Sequence, residues 1–174
     1  MTTMVQALKD CGALQFGDFT LASGAKSKYY IDIKRASTDP RVLKLIAENM
    51  AANLRKSGLE IDRIAGIVLG SVPLAAALSL ETGIPYVMVR KEKKDHGTSK
   101  LVEGVLNKGD RVLVVEDVIT SAGSSITGIG TLRAEGAVVE NVFSVIDREA
   151  GGPEALEKIG VKLTPLVRAS ELLS

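Results

Sequence analysis

The sequence predicts an α/β fold with a mostly parallel central sheet flanked by helices. Short apolar runs rich in Val and Ile recur at residues 64–68, 86–89, 112–115, 138–146 and 161–166. Runs of this kind read as strands buried in a parallel sheet, where no polar face is needed. Helical patterns lie between most of them, which is the alternation of βαβ units. After two of the runs, loops of glycine and hydroxyl residues at 69–73 and 120–124 lead directly into helical patterns.

Taken in order, Met4, Val5 and Leu8 suggest a short first helix closing at Gly12. Thr38 or Asp39 can cap a second helix, with Pro40 in its first turn. Leu43, Ala47, Met50 and Leu54 recur on one face before Ser57 and Gly58 end it. The strand at 64–68 is followed by a helix at 73–81 and a strand at 86–89. Past a polar segment from Lys91 to Lys100 come the strand at 112–115, a helix at 123–135 and a strand at 138–146. A helix near 153–159 and a strand near 161–166 end the pattern. Gly128 and Gly130 resemble the start of a dinucleotide fingerprint, but Arg133 stands where a third glycine belongs. Close helix packing explains them better.

Composition bounds the function. The 174 residues suffice for one domain, 1–174, with a substantial core, and the net charge of +1 argues against bulk attraction to nucleic acid or membrane. Cys11 is the only cysteine, so no internal disulfide is expected and a reducing cytoplasm is the expected compartment. The N-terminus carries no secretory pattern. Residues 64–80 are seventeen uncharged residues, but Gly70, Ser71 and Pro73 interrupt them, so strand, loop and helix is the reading.

The chemistry concentrates at 112–125, VLVVEDVITSAGSS. The apolar strand is expected to deliver Glu116 and Asp117 to its C-terminal edge, where open α/β sheets bind ligands. Thr120 to Ser124 then offer hydroxyls and backbone N–H groups at a helix start, a ready anion site. Two acids would repel the same anion, so they either accept hydrogen bonds from sugar hydroxyls or face a hydrated cation.

Other segments can complete a site. Residues 90–100, RKEKKDHGTSK, carry five cations against Glu92 and Asp95, the chain's one histidine and a glycine hinge at Gly97. Such a run is either a solvated surface or a cationic lid for a polyanion. Lys26 precedes Tyr29 and Tyr30: either a turn before a strand with buried tyrosines, or a cation meeting an anion while an aromatic pair borders a flat ring. Ser71 lies in a loop that could present N–H groups to an anion. Arg148, after the apolar run 142–146, could grip a carboxylate in bidentate fashion.

The motif at 112–124 resembles the 5-phosphoribosyl-1-diphosphate (PRPP) site of the type I phosphoribosyltransferases. The order of Ser23, Gly24, Lys26, Ser27, Tyr29 and Tyr30, then Arg90, Lys91, Lys94, His96 and Gly97, then Asp147, Arg148 and Glu149 is similar to the orotate phosphoribosyltransferase family over nearly the whole chain. The resemblance implies the type I fold with a small N-terminal hood, and transfer of phosphoribose from PRPP to orotate in pyrimidine synthesis. It implies that PRPP meets Arg90, Lys91, Lys94, His96, Ser71, Glu116, Asp117, Val118, Ile119, Thr120, Ser121, Ala122, Gly123 and Ser124. Orotate would meet Lys26, Tyr29, Tyr30, Thr120 and Arg148, with Lys94, His96 and Asp117 catalytic. Mg²⁺ is implied through substrate oxygens and water, with no protein metal cage, and anionic Glu116 and Asp117 would favour positive charge on the ribose. A homodimer sharing the mobile loop at about 91–100 is implied, with no nucleic-acid or membrane partner. The chain departs from some members in having Leu69, Gly70 and Ser71 where they carry a lysine in the pyrophosphate loop. Transfer to another base, or a regulator that only senses PRPP or binds RNA, are the competing readings.

Overall fold

A computed structural model describes every residue except Lys94 and Thr98. Helix α1 (Met4–Asp10) starts where Thr3 Oγ1 accepts from Gln6 N at 3.1 Å, and it closes before Gly12, whose φ of +76° suits glycine. Strands β1 (Leu14–Thr20) and β2 (Lys26–Ile31) pair antiparallel as a separate two-stranded hairpin. Asp32 caps the short α2 (Ile33–Ser37) by accepting from Lys34 N. In α3 (Pro40–Ser57), Asp39 accepts from Arg41 N at 2.9 Å, Pro40 occupies the first turn, and Gly58 ends the helix at φ +70°. Its inner face buries Val42, Ile46, Met50 and Leu54, each contributing about 1.5–3 kcal/mol.

The remainder alternates: β3 (Arg63–Ile67), α4 (Val72–Thr82), β4 (Tyr86–Val89), β5 (Val102–Glu103), β6 (Arg111–Ile119), α5 (Gly123–Ala134), β7 (Val138–Asp147), α6 (Gly152–Glu157), β8 (Lys162–Arg168) and α7 (Ala169–Leu173). The six-stranded sheet has the order β5-β4-β3-β6-β7-β8, and only β5 runs antiparallel. Strand alternation divides the core in two. Leu113 and Val115 face a cluster with Ile46, Met50 and Leu78, whereas Val112 and Val114 face one with Ile129 and Leu132. No helix among the described residues is long and apolar enough to cross a membrane.

The expected helices and strands from residue 38 onward are present within a few residues, and the first helix is too. Four elements were not expected: β1, α2, β5 and α7. Neither tyrosine of β2 is fully buried, since Tyr30 is 38% exposed and Tyr29 half-buried. Strand β6 extends four residues past Val115, so Glu116 and Asp117 stand within its last turn of pleat and not beyond it. Of the paired glycines, Gly128 does pack closely: a Cβ there would lie 2.5 Å from Ile67 Cδ1. Gly130 has open space around it.

Candidate active site

The sheet's connections diverge between β3, which leads to β4 on one side, and β6, which leads to β7 on the other. A crevice at the C-terminal strand ends follows from that switch. A cleft of about 780 Å³ opens there, lined by Val68 to Ser71, Lys91, Glu116 to Ser125 and Arg148, and roofed by residues 20–23 and 30–34 of the hairpin and α2.

The floor is the β6–α5 junction. Ala122 sits at φ +68°, which turns the chain sharply into α5 with no side-chain cap on the helix start. The first N–H groups of α5 are therefore available to an anion, and Thr120, Ser121, Gly123 and Ser124 are exposed around them. Val118 is half-buried and Ile119 is buried, and both border the cleft.

The two carboxylates have different surroundings. Glu116 is 6% exposed; Ser71 Oγ donates to its Oε2 at 3.2 Å, while Oε1 has no hydrogen-bond partner among the described residues. Burial, reinforced by Asp117, pushes the Glu116 carboxyl up to about 8 against the opposing pull of the Ser71 and Ser125 hydroxyls and the charge of Lys91. Burial thus favours the protonated form of Glu116 at neutral pH, against the pair of anionic carboxylates that the resemblance implies. Asp117 is half-buried, its Oδ1 accepting from its neighbour Val118 N at 2.8 Å. Gly70 lies close beside it, since a Cβ there would meet Asp117 Oδ2 at 2.5 Å. Ser71 and Gly70 therefore each address one carboxylate.

Arg148 reaches the cleft from the end of β7. Its guanidinium lies 4.5 Å above the Tyr29 ring, and its backbone N–H donates to Ile119 O at 2.9 Å. Tyr30 lines the cleft, whereas Tyr29 lies under Arg148 outside the lining. Lys26 Nζ donates to Thr20 Oγ1 at 2.7 Å and borders a neighbouring recess of about 350 Å³, with only Thr20 shared between the two. Of the basic segment, Lys91 lines the cleft, Arg90 Nε donates to Glu103 Oε1 at 3.0 Å, and His96 is exposed outside the lining. Lys94 lies outside the described residues. No group of three or more His, Cys, Asp or Glu side chains able to hold a metal occurs among the described residues.

A family model for the phosphoribosyl transferase domain matches residues 32–163. Orotate phosphoribosyltransferases of Pyrococcus abyssi and Methanosarcina mazei are 52% and 51% identical over 97% and 98% of this chain, and 93% and 90% of their own lengths. The chain belongs to the phosphoribosyltransferase family. Among solved structures, the orotate phosphoribosyltransferase of Aeropyrum pernix shares 34% identity at a TM-score of 0.87, covering 98% of this chain and 96% of that one. The Mycobacterium tuberculosis enzyme in complex with PRPP shares 29% identity at 0.81, covering 98% and 97%. A yeast adenine phosphoribosyltransferase, at 20% identity and 0.75 over 94% and 98% of the two chains, shares the fold alone.

The cleft also holds residues that no sequence motif marked. Asp32 and Lys34 line the roof, and the buried Ser125 hydroxyl favours the charged form of Glu116. Ser125 adjoins the motif and was recoverable as one more hydroxyl of the loop. Asp32 and Lys34 had no such signal, because a five-residue helix leaves too short a pattern to read.

Proposed function

We propose that the protein transfers the phosphoribosyl group of PRPP to a ring nitrogen of orotate, giving orotidine 5′-monophosphate and pyrophosphate in pyrimidine nucleotide synthesis. One observation carries this beyond the relatives' names. A single cleft holds an uncapped helix start, two carboxylates and, on a separate wall, an arginine that makes no ion pair among the described residues.

In this reading the chain is a single phosphoribosyltransferase domain, 1–174. The backbone N–H groups and hydroxyls from Thr120 to Ser124 hold the 5′-phosphate, with Val118, Ile119 and Ala122 shaping the loop. Departure of pyrophosphate leaves positive character on the ribose, as in glycoside cleavage, and anionic Asp117 favours that charge. Neutral Glu116 can donate to one ribose hydroxyl and accept from another. Arg90, Lys91, Lys94 and His96 gather on the pyrophosphate, with Lys94 or His96 supplying its proton, and the loop at Ser71 offers backbone N–H groups to it. Arg148 and Thr120 take the carboxylate of orotate and Tyr30 borders the ring, while Lys26 reaches the ring only by turning from Thr20 out of its neighbouring recess.

The donor set fits a cation that arrives with substrate: the cleft is lined by Asp32, Glu116 and Asp117, which form no metal-holding group among the described residues, so PRPP oxygens and waters would supply most ligands of Mg²⁺. Bound there, the ion would neutralise charge on the leaving group. The active unit in this reading is a cytoplasmic homodimer in which the segment at about 91–100 serves the neighbouring site. The deciding experiment supplies PRPP, Mg²⁺ and a panel of bases. Turnover of orotate without adenine, hypoxanthine or uracil is expected; turnover of a purine in preference, or of no base, overturns the reading.

A further inference from the structure

Resting on the reading of Arg148 as the carboxylate-binding group, we propose that Tyr29 is a positioning residue which, with Ser27, holds the Arg148 guanidinium in a fixed plane and thereby sets selectivity for a carboxylated acceptor ring.

An arginine at a strand end has four rotatable side-chain bonds, and a planar fork recognises a carboxylate only when its plane is set. Here three contacts set it. The Tyr29 ring underlies the guanidinium, whose central carbon is 4.5 Å from the ring centroid. Ser27 Oγ accepts from Arg148 Nη2 at 3.5 Å, a long contact that orients without binding tightly. The backbone is tied by the bond from Arg148 N to Ile119 O, and Glu149 beyond it is anchored on Ser170 through N–H and hydroxyl bonds of 2.8 and 3.1 Å.

Ser27 is itself directed. Its hydroxyl donates to Tyr29 O at 2.7 Å, which commits its only proton and leaves its lone pairs for Tyr29 N–H and Arg148. Tyr29 packs against the core cluster beneath the sheet, so the platform is backed by buried side chains. Two strands distant in sequence thus meet at one guanidinium, which makes no protein ion pair among the described residues. Tyr29 acts through Arg148 and need not touch the ring of the acceptor.

The test measures steady-state KM for orotate and for PRPP separately. Tyr29→Leu is expected to raise KM for orotate on the order of 5- to 30-fold, the range of a partly desolvated cation–π contact, with KM for PRPP within about twofold. Tyr29→Phe keeps the ring and should restore the orotate KM. In an Arg148→Gln background, Tyr29→Leu should cost nothing further. Ser27→Ala, a smaller excision, should shift the orotate KM alone and decides the matter if Tyr29→Leu does not fold. Equal loss in Tyr29→Phe and Tyr29→Leu, a parallel rise in both KM values, or an undiminished effect beside Arg148→Gln overturns the positioning role. If Arg148→Gln by itself leaves the orotate KM unchanged, the carboxylate reading falls and the positioning role with it. If Arg148→Gln is costly while the Tyr29 and Ser27 variants are silent, only the positioning role falls.

Discussion

Replacing Glu116 by Gln tests the electrostatics of the cleft floor directly. Glu116 is raised from 4.5 to about 8, chiefly by burial and then by Asp117. Between those two pH values the folded protein holds a proton that the unfolded chain has released. The unfolded state binds fewer protons, so stability falls as pH rises from 4.5, and the loss is complete above about 8. At about 1.36 kcal/mol per pH unit, the ceiling on this loss is roughly 5 kcal/mol. Glutamine has the same shape, stays neutral, and can still accept from Ser71 Oγ. Near pH 5 the two proteins should therefore agree within about 1 kcal/mol. By pH 9 the variant should be the more stable by about 3–5 kcal/mol, or roughly 10 °C in Tm for a chain of this size.

The assay is urea or thermal unfolding from pH 5 to pH 9 without substrate, at one fixed protein concentration because association would itself move Tm. A stability difference that stays flat across this range would falsify the reasoning. So would a wild-type protein that gains on the variant as pH rises, because that slope belongs to a carboxylate whose pKa is depressed by folding.

Three further outcomes are expected from the geometry. Gly70→Ala would drive a Cβ to 2.5 Å from Asp117 Oδ2, the end of a side chain that can turn away; kcat/KM for PRPP should fall on the order of tenfold or more while Tm changes little. Within α5, Gly128→Ala meets Ile67 Cδ1 in a packed core and should cost about 1–3 kcal/mol, whereas Gly130→Ala meets nothing and should gain about 0.5–1 kcal/mol by helix propensity; urea melts read both. For the shared-site dimer, mixing inactive Lys94→Ala and Asp117→Asn proteins should restore activity in heterodimers that own one intact site, and verified subunit exchange with no recovered activity would reject the sharing.

Legibility in the sequence followed the strength of the local pattern. Helix α3 was readable from both ends because Asp39, Pro40 and Gly58 each perform a distinct capping task around a periodic apolar face. The β6 strand and its loop were readable because four β-branched or leucine residues, two acids and a hydroxyl loop occur without interruption. The hairpin was half visible. Strand β1 mixes Gln15, Gly17 and Asp18 among its apolar residues, and its register shifts between Phe16 and Phe19, so no period of two survives to be read. Side-chain partnerships were less legible still. Arg148 was expected at the site, but nothing local in the chain places Tyr29 beneath it, because the contact spans two sheets.

The protonation of Glu116 changes how a doubly acidic motif can bind a polyanion. Adjacent on β6, the two carboxyls have unlike surroundings, Glu116 buried and Asp117 half-buried. The loop after β3 repeats the division: Ser71 bonds to Glu116, and Gly70 gives way to Asp117. One carboxyl is thereby kept in a buried hydroxyl pocket where charge is costly, and the other stays at the half-exposed wall. With Glu116 neutral at pH 7, the floor carries one negative charge beside the phosphate loop instead of two, and Lys91 in the same lining opposes it. Arriving phosphates are repelled less than the sequence pair Glu-Asp suggests. In the proposed function, the remaining charge, on Asp117, is the one that meets positive character on the ribose when pyrophosphate leaves.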